Sequence, residues 1–170
     1  MDVFEAIHTR RSVREYEDTP IPDDILEKVL RAAMNAPSAK NEQPWHFVVI
    51  TDRDILEQVP TFHPYAEMVL KAPVVIAVCA DSTLERAAHG YWIADCSAAT
   101  QNILLAAHAL GLGAVWAGIF PQEERMKGLQ KLLGLPEHVL PLALVPMGYP
   151  RKKGKHKDRF LPERIHYNRW

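Results

Sequence analysis

Glycine is scarce in this chain of 170 residues: eight glycines stand against thirteen prolines, the reverse of the usual balance of about 7% to 5%. A backbone loop that cradles phosphate needs several glycines close together, and neither GxGxxG between strand and helix nor GxxxxGK[ST] is present. Gly111-Leu-Gly113 leads into a strand, so it reads as a helix cap and turn. Cysteine is scarcer still. Cys79 and Cys96 have neither CxxC spacing nor a paired histidine, which excludes a disulfide framework and fits a reducing, cytoplasmic setting. HExxH and GxSxG are missing, and the eight histidines are scattered without metal-ligand spacing. The sequence therefore predicts no metal site and no catalytic dyad. Long apolar runs are also lacking. The stretch Tyr91 to Leu110 is interrupted by Asp95, Gln101, Asn102 and His108, whereas a bilayer span needs about 20 nearly continuous apolar residues. The amino terminus carries its positive charges after its apolar residues, unlike a signal peptide.

What is there fits a single soluble domain over residues 1–170, with 48% apolar and 24% charged residues. The net charge of −1 conceals an imbalance. Residues 151–170 hold eight Lys and Arg against two acids, a net of +6, and the first 150 residues a net of −7. The apolar periodicity predicts helices at 2–9, from Asp23 through Met34, at 54–59, at 86–110 and at 122–133, with a turn of helix at 65–71. Buried strands are predicted at 45–51, 72–80, 114–117 and 140–147. Uneven alternation of the two gives an α+β fold, an α/β sandwich with a mixed, mostly antiparallel sheet covered by helices. The 86–110 helix is apolar nearly all round, so it is expected to be buried inside the domain or against a partner subunit.

Three constellations carry candidate chemistry. In Arg10-Arg11-Ser12-Val13-Arg14, an extended backbone would align Arg10, Ser12 and Arg14 on one face, with guanidinium forks suited to phosphate or polarised carbonyls; a solvated basic turn is the plain alternative. In the loop Ala36 to Phe47, Ser38, Asn41 and Gln43 offer donors and acceptors able to read the edge of a heterocycle, or simply connect helix to strand. In the tail, Lys157 and Arg159 lie two apart, and Ile165, Tyr167 and Trp170 are anchors that a disordered terminus would not need. The acidic remainder of the chain argues against a nucleic-acid partner.

Taken in order along the chain, RRSxR, PSAxNxQPWxF, the GxGxxWxG stretch from Gly111 to Gly118 and the KxR of the tail resemble the nitroreductase family of FMN-dependent oxidoreductases. The resemblance implies an intertwined homodimer with two FMN sites at the subunit interface and an exchanged C-terminal arm, residues 151–170. It also implies roles by position. Arg10, Ser12 and Arg14 match contacts to the flavin phosphate, ribityl chain and pyrimidine edge, with Arg11 in the same motif. Pro37, Ser38, Ala39 and Asn41 match a loop from the other subunit, supported by Gln43. Ala117 and Gly118 match backbone near flavin N5, and Lys157 and Arg159 match a pair that grips the phosphate. The implied reaction is ping-pong. NAD(P)H gives hydride to N5, and a small acceptor such as a nitroaromatic or quinone then takes two electrons, FMN carrying the chemistry and the protein its orientation and electrostatics. Same-fold alternatives are enoate reduction, dehalogenation, flavin breakdown or flavin carriage with little turnover. The segment His63-Pro-Tyr65-Ala-Glu-Met68 departs from the family pattern, and Tyr65 either sits near the flavin ring or packs.

Overall fold

Two β-branched runs form the backbone of the sheet. The computed structural model describes residues 1–152, 154 and 158–170. Trp45–Ile50 (β1) and Val74–Asp81 (β2) pair antiparallel, with Phe47 opposite Val78. Val139–Gly148 (β5) pairs antiparallel on the other side of β2, with Ile76 opposite Val145. The expected strand at 114–117 is two short pieces instead, Gly113–Ala114 (β3) and Ala117–Gly118 (β4). Both pair antiparallel with β5, at Met147 to Gly148 and at Ala143 to Leu144 respectively. The spatial order is β1-β2-β5-β3, with β4 also on β5. All named strand pairs are antiparallel, and the parallel element is an isolated bridge between Ser12 and Ala114.

Side chains alternate across β2, and the alternation divides the core. Val74, Ile76, Val78 and Ala80 join Val29 and Ala33 of helix α2 (Asp23–Met34) and Ala99 and Ile103 of helix α4 (Trp92–Ala109). Val75, Ala77 and Cys79 face Leu56 of α3 (Arg53–Leu56), Val59, Val69 and Leu129 of α5 (Glu123–Leu133). Apolar layers on both faces explain why β2 is a continuous hydrophobic run rather than an alternating one.

Capping sets the helix limits. Asp2 accepts from the Glu5 N–H to open α1 (Val3–Thr9), and Pro22 with Asp23 and Asp24 opens α2. Gly134, at φ 62°, closes α5. The helix expected over 86–110 is broken: Ala87–Tyr91 form a π-helical turn with Gly90 at φ 89°, and α4 starts at Trp92. Nor is α4 covered all round by its own chain. Ala94, Gln101 and Ala109 are exposed, and Ala98 and Leu105 half-buried, along one stripe.

Candidate functional site

The segment after α1 is pinned at both ends. The Arg10 N–H closes the helix on the Ala6 carbonyl at 3.0 Å, and the Val13 N–H donates to the Ala114 carbonyl at 3.0 Å. Tyr16 is buried, its hydroxyl hydrogen shared between the carbonyls of Val13 (2.6 Å) and Pro146 (3.1 Å), and burial pushes its pKa up. The extended backbone then sorts the side chains. Val13 turns inward on Gly113, where an added Cβ would lie 2.7 Å from that of Val13. Ser12 and Arg14 are exposed and Arg10 half-buried. Arg11 turns back instead, its Nη1 donating to the carbonyls of His8 (2.9 Å) and Arg10 (2.6 Å) at the end of α1.

Arg10 and Arg159, from opposite ends of the chain, are electrostatic neighbours. Burial first, then the guanidiniums of Arg159 and Arg11, hold Arg10 below the ordinary arginine value. None of the ion pairs among the described residues includes Arg10, Arg14 or Arg159. Like charges gathered this way are stable only beside water or an anion. Lys157, the other half of the expected tail pair, lies outside the described residues. His108 near the end of α4 supports the same corner: its Nε2 is 2.7 Å from Thr9 Oγ1, whose own hydrogen goes to the Glu5 carbonyl at 2.6 Å. That assigns Nε2–H as the donor. Burial, then Arg10 and Arg11, lowers the His108 pKa and keeps the ring neutral.

The loop from Pro37 to Gln43 is bent and anchored at the other end of α4. Lys40, Asn41 and Gln43 all take left-handed backbone conformations, at φ 55°, 57° and 52°. For non-glycine residues this costs on the order of 1 kcal/mol each. Four contacts hold it: the Gln43 N–H on Ser38 Oγ (3.0 Å), the Ala39 N–H on Asp95 Oδ1 (3.0 Å), and the N–H groups of Arg86 (2.9 Å) and Ala87 (3.3 Å) on Glu42 Oε2. Asp95 is buried, and its Oδ2 has no hydrogen-bond partner. Burial, reinforced by Glu42 and opposed by the Ala39 N–H, raises its pKa. Pro37, Asn41 and Gln43 remain exposed.

Ala117 and Gly118 lie in β4. Among the eight glycines, Gly118 is the one with neither a positive φ nor a crowded Cβ position; the nearest atom to an added Cβ would be the Phe120 carbonyl oxygen at 3.9 Å. Arg125, in the first turn of α5, donates from Nη1 to the Gly118 carbonyl at 3.0 Å and lies over the ring of Tyr65, 5.7 Å from its centroid. Tyr65 is 77% exposed, so it does not pack as a core aromatic. It lines an open groove of about 480 Å³ with Arg14 and Met68. A second groove of about 280 Å³ continues past Arg14 to Ser12 and Lys152. Buried His63 is held neutral by burial and by the charge of Arg125.

Burial raises the thiols of Cys79 and Cys96 to about 12, which makes them poor nucleophiles at neutral pH. Among the described residues no cluster of His, Cys, Asp and Glu could hold a metal, and no helix is long and apolar enough to cross a membrane. Asp95, Glu42 and Arg125 are not among the motif residues, and His63 stands only in the segment that departs from the family pattern. Asp95 alone carried a signal, as the one acid inside an otherwise apolar helix.

An antiparallel sheet between helical layers, with a groove lined by Arg14, Glu15, Tyr65 and Glu67 and an open glycine on β4, defines an α+β protein. The nitroreductase family model matches residues 7–61 and 61–149. A protein of Methanothermobacter thermautotrophicus provisionally named NADH dehydrogenase/NAD(P)H nitroreductase is 53% identical over 170 residues, covering 100% of this chain and 88% of its own. A crystal structure of a protein from Parabacteroides distasonis with the same provisional name superposes at a TM-score of 0.93 with 40% identity, over 98% of each chain. A provisionally named nitroreductase from Desulfovibrio desulfuricans, solved in complex with FMN, superposes at 0.83 with 33% identity over 100% of this chain and 98% of its own. The chain belongs to the nitroreductase family of oxidoreductases.

Proposed function

We propose that this chain forms a homodimer with two FMN sites and passes two electrons from NAD(P)H to nitroaromatic, quinone or similar acceptors by a ping-pong cycle. The observation that carries the reading is the placement of the two halves of the site on α4. The loop at 37–43 is tied to Asp95 and the Arg10 corner to His108, about 20 Å apart along the axis at about 1.5 Å per residue. The two groups of residues therefore stand at opposite ends of one helix. A second chain running antiparallel against the half-exposed stripe of α4 brings its loop to the first chain's arginines.

Exposed apolar residues favour the same arrangement. Val3, Phe4 and Ile7 on α1 and Phe160, Ile165, Tyr167 and Trp170 in the tail are exposed, Trp170 stacking on the neighbouring His166 ring. An arm of residues 151–170 that crosses to a partner would cover them.

The residues present fit FMN. Arg10 and Arg159 form a concentration of positive charge with no ion-pair partner among the described residues, suited to a phosphate with close to two negative charges. Ser12 and Arg14 lie on the exposed face between that corner and Tyr65, and open Gly118 admits a flat ring against β4. When bound, FMN supplies hydride acceptance and two-electron transfer. The chain's own part is to hold the phosphate with Arg10 and Arg159 and to hydrogen-bond the ring edge from Arg14 and the partner's loop. The basic surface then favours negative charge gathering on the ring during reduction.

The test is one preparation. The protein is expected to elute as a dimer, take up FMN in equal amount to chains, lose its yellow colour anaerobically with NADH or NADPH, and recover it with p-benzoquinone or a nitrofuran. Ala94→Arg, at an exposed position on the α4 stripe, is expected to give a folded monomer that has lost FMN. Failure to take up FMN overturns the reading; a monomer with full FMN affinity overturns the shared site.

A further inference from the structure

Arg125 is left over by the motif-based site, yet it touches the strand on which that site turns. It stands in the first turn of α5, half-buried, and reaches back seven residues to the Gly118 carbonyl. Its planar group is braced on the other side by the Tyr65 ring. No ion pair among the described residues includes it. Beside it His63 is buried, with neither ring nitrogen at full hydrogen-bond geometry to a partner among the described residues, although the Gly118 backbone nearby works against the lowering of its pKa. The guanidinium therefore has no carboxylate partner within ion-pair distance among the described residues.

Two further observations give that charge a use. Gly118 is an open glycine that neither its φ nor a neighbour requires, so the space beside it suits close approach by something outside the chain. The groove lined by Tyr65 also reaches Arg14. Tyr65 and Arg14 thus line one groove, with Glu15, Glu67 and Lys71 also in its lining, and Arg125 joins its Tyr65 wall to the Gly118 carbonyl. We infer that Arg125 is the positioning residue of the Gly118 peptide, and that its charge raises the reduction potential of the flavin held against β4. This rests on the FMN reading above. The physical basis is differential: a fixed positive charge stabilises reduced, anionic flavin more than the neutral oxidised form. A guanidinium oriented by one carbonyl and one ring pays little reorganisation when that charge appears.

The experiment is spectroelectrochemical titration of the FMN-loaded dimer, with FMN affinity measured separately on the oxidised form. Arg125→Gln keeps a donor for the Gly118 carbonyl and removes the charge; Arg125→Lys keeps the charge. Arg125→Gln is expected to change oxidised FMN affinity less than threefold and to lower the ratio of reduced to oxidised affinity about tenfold, a fall of about 30 mV for a two-electron couple. Arg125→Lys is expected to stay close to the parent potential. Tyr65→Ala, at an exposed position, frees the guanidinium and is expected to lower the potential by a smaller amount; it decides the matter where Arg125→Gln fails to fold. An unchanged potential in Arg125→Gln, or in Tyr65→Ala where that variant stands in, overturns the inference and leaves the FMN reading intact. Absence of FMN binding in the parent protein overturns both.

Discussion

Asp95 Oδ1 accepts a hydrogen bond from the Ala39 N–H at 3.0 Å while the buried Asp95 Oδ2 has no partner among the described residues. One oxygen thus holds the strained loop and the other bears an uncompensated desolvation cost. The raised pKa expresses that cost. Asp95→Asn keeps a carbonyl for the Ala39 N–H and sheds the charge, so FMN affinity is expected within threefold of the parent and thermal stability unchanged or higher. Asp95→Ala leaves the Ala39 N–H unsatisfied, at a cost of about 1–3 kcal/mol, and the loop loses its anchor. FMN affinity is then expected to fall tenfold or more, measured by quenching of flavin fluorescence. Equal affinity in the alanine variant would remove Asp95 from the support of the loop.

Arg10 and Arg159 make opposite demands on the free and the loaded protein. The Arg159 guanidinium disfavours the charge on Arg10, so Arg159→Ala is expected to leave the melting temperature of the apoprotein unchanged or slightly raised. With FMN the sign reverses. A charge-assisted hydrogen bond is worth about 1.5–3 kcal/mol, so its loss weakens FMN binding by roughly 10- to 150-fold at about 1.4 kcal/mol per decade. The affinity of the parent is also expected to fall more steeply with salt than that of the variant. Isothermal titration at two salt concentrations checks both statements; parallel salt slopes would place Arg159 outside the phosphate site.

Much of this was legible because it is local. Pro22 with Asp23 and Asp24 announces α2, Gly134 announces the end of α5, and the alternation at Arg10, Ser12 and Arg14 follows from an extended backbone. The break at Gly90 was not legible, because Ala87 to Tyr91 continues the apolar composition of α4 and only the positive φ reveals the turn. The strand at 114–117 failed for another reason: β3 and β4 pair with separate parts of β5, and residue spacing says nothing about where a partner strand lies. The same limit hid the supporting residues. Asp95 meets Ala39 across 56 positions, and Arg125 meets Gly118 through the turn of chain between β4 and α5. Motifs show what faces a ligand; what holds the motif is fixed by tertiary packing.

His63 gives the fold an acid sensitivity with a definite sign. Burial, then Arg125, lowers its pKa, so the folded chain keeps the ring neutral. In the unfolded chain it titrates near 6.5. As pH falls below about 6.5 the unfolded state takes up a proton that the fold refuses, and stability falls by at most about 1.4 kcal/mol per pH unit until the folded pKa is reached. His108, also lowered, adds to the slope. Asp95, raised, works in the opposite sense at lower pH. The parent is therefore expected to melt at a lower temperature at pH 5.5 than at pH 7.5. His63→Phe fills the same buried space without titrating, and its two melting temperatures are expected to lie closer together. A gap as wide as the parent's would assign the acid sensitivity elsewhere.

Gly118→Ala separates what the chain needs from what a ligand needs. The added methyl finds its nearest neighbour at 3.9 Å, an ordinary van der Waals distance, and the backbone is not in the left-handed region. Alanine also loses less conformational freedom on folding than glycine. The apoprotein is therefore expected to melt within a few degrees of the parent and to remain dimeric. The Arg125 bond to the Gly118 carbonyl involves only backbone on that side and survives the change. The methyl must instead occupy the open space beside β4, where a flat ring has to approach to within van der Waals contact of the peptide. FMN affinity is expected to drop tenfold or more, about 1.4 kcal/mol per decade, with the visible spectrum of any remaining bound flavin altered. Stability and affinity falling together would mean that Gly118 serves the fold; an unchanged affinity would take β4 out of the cofactor site.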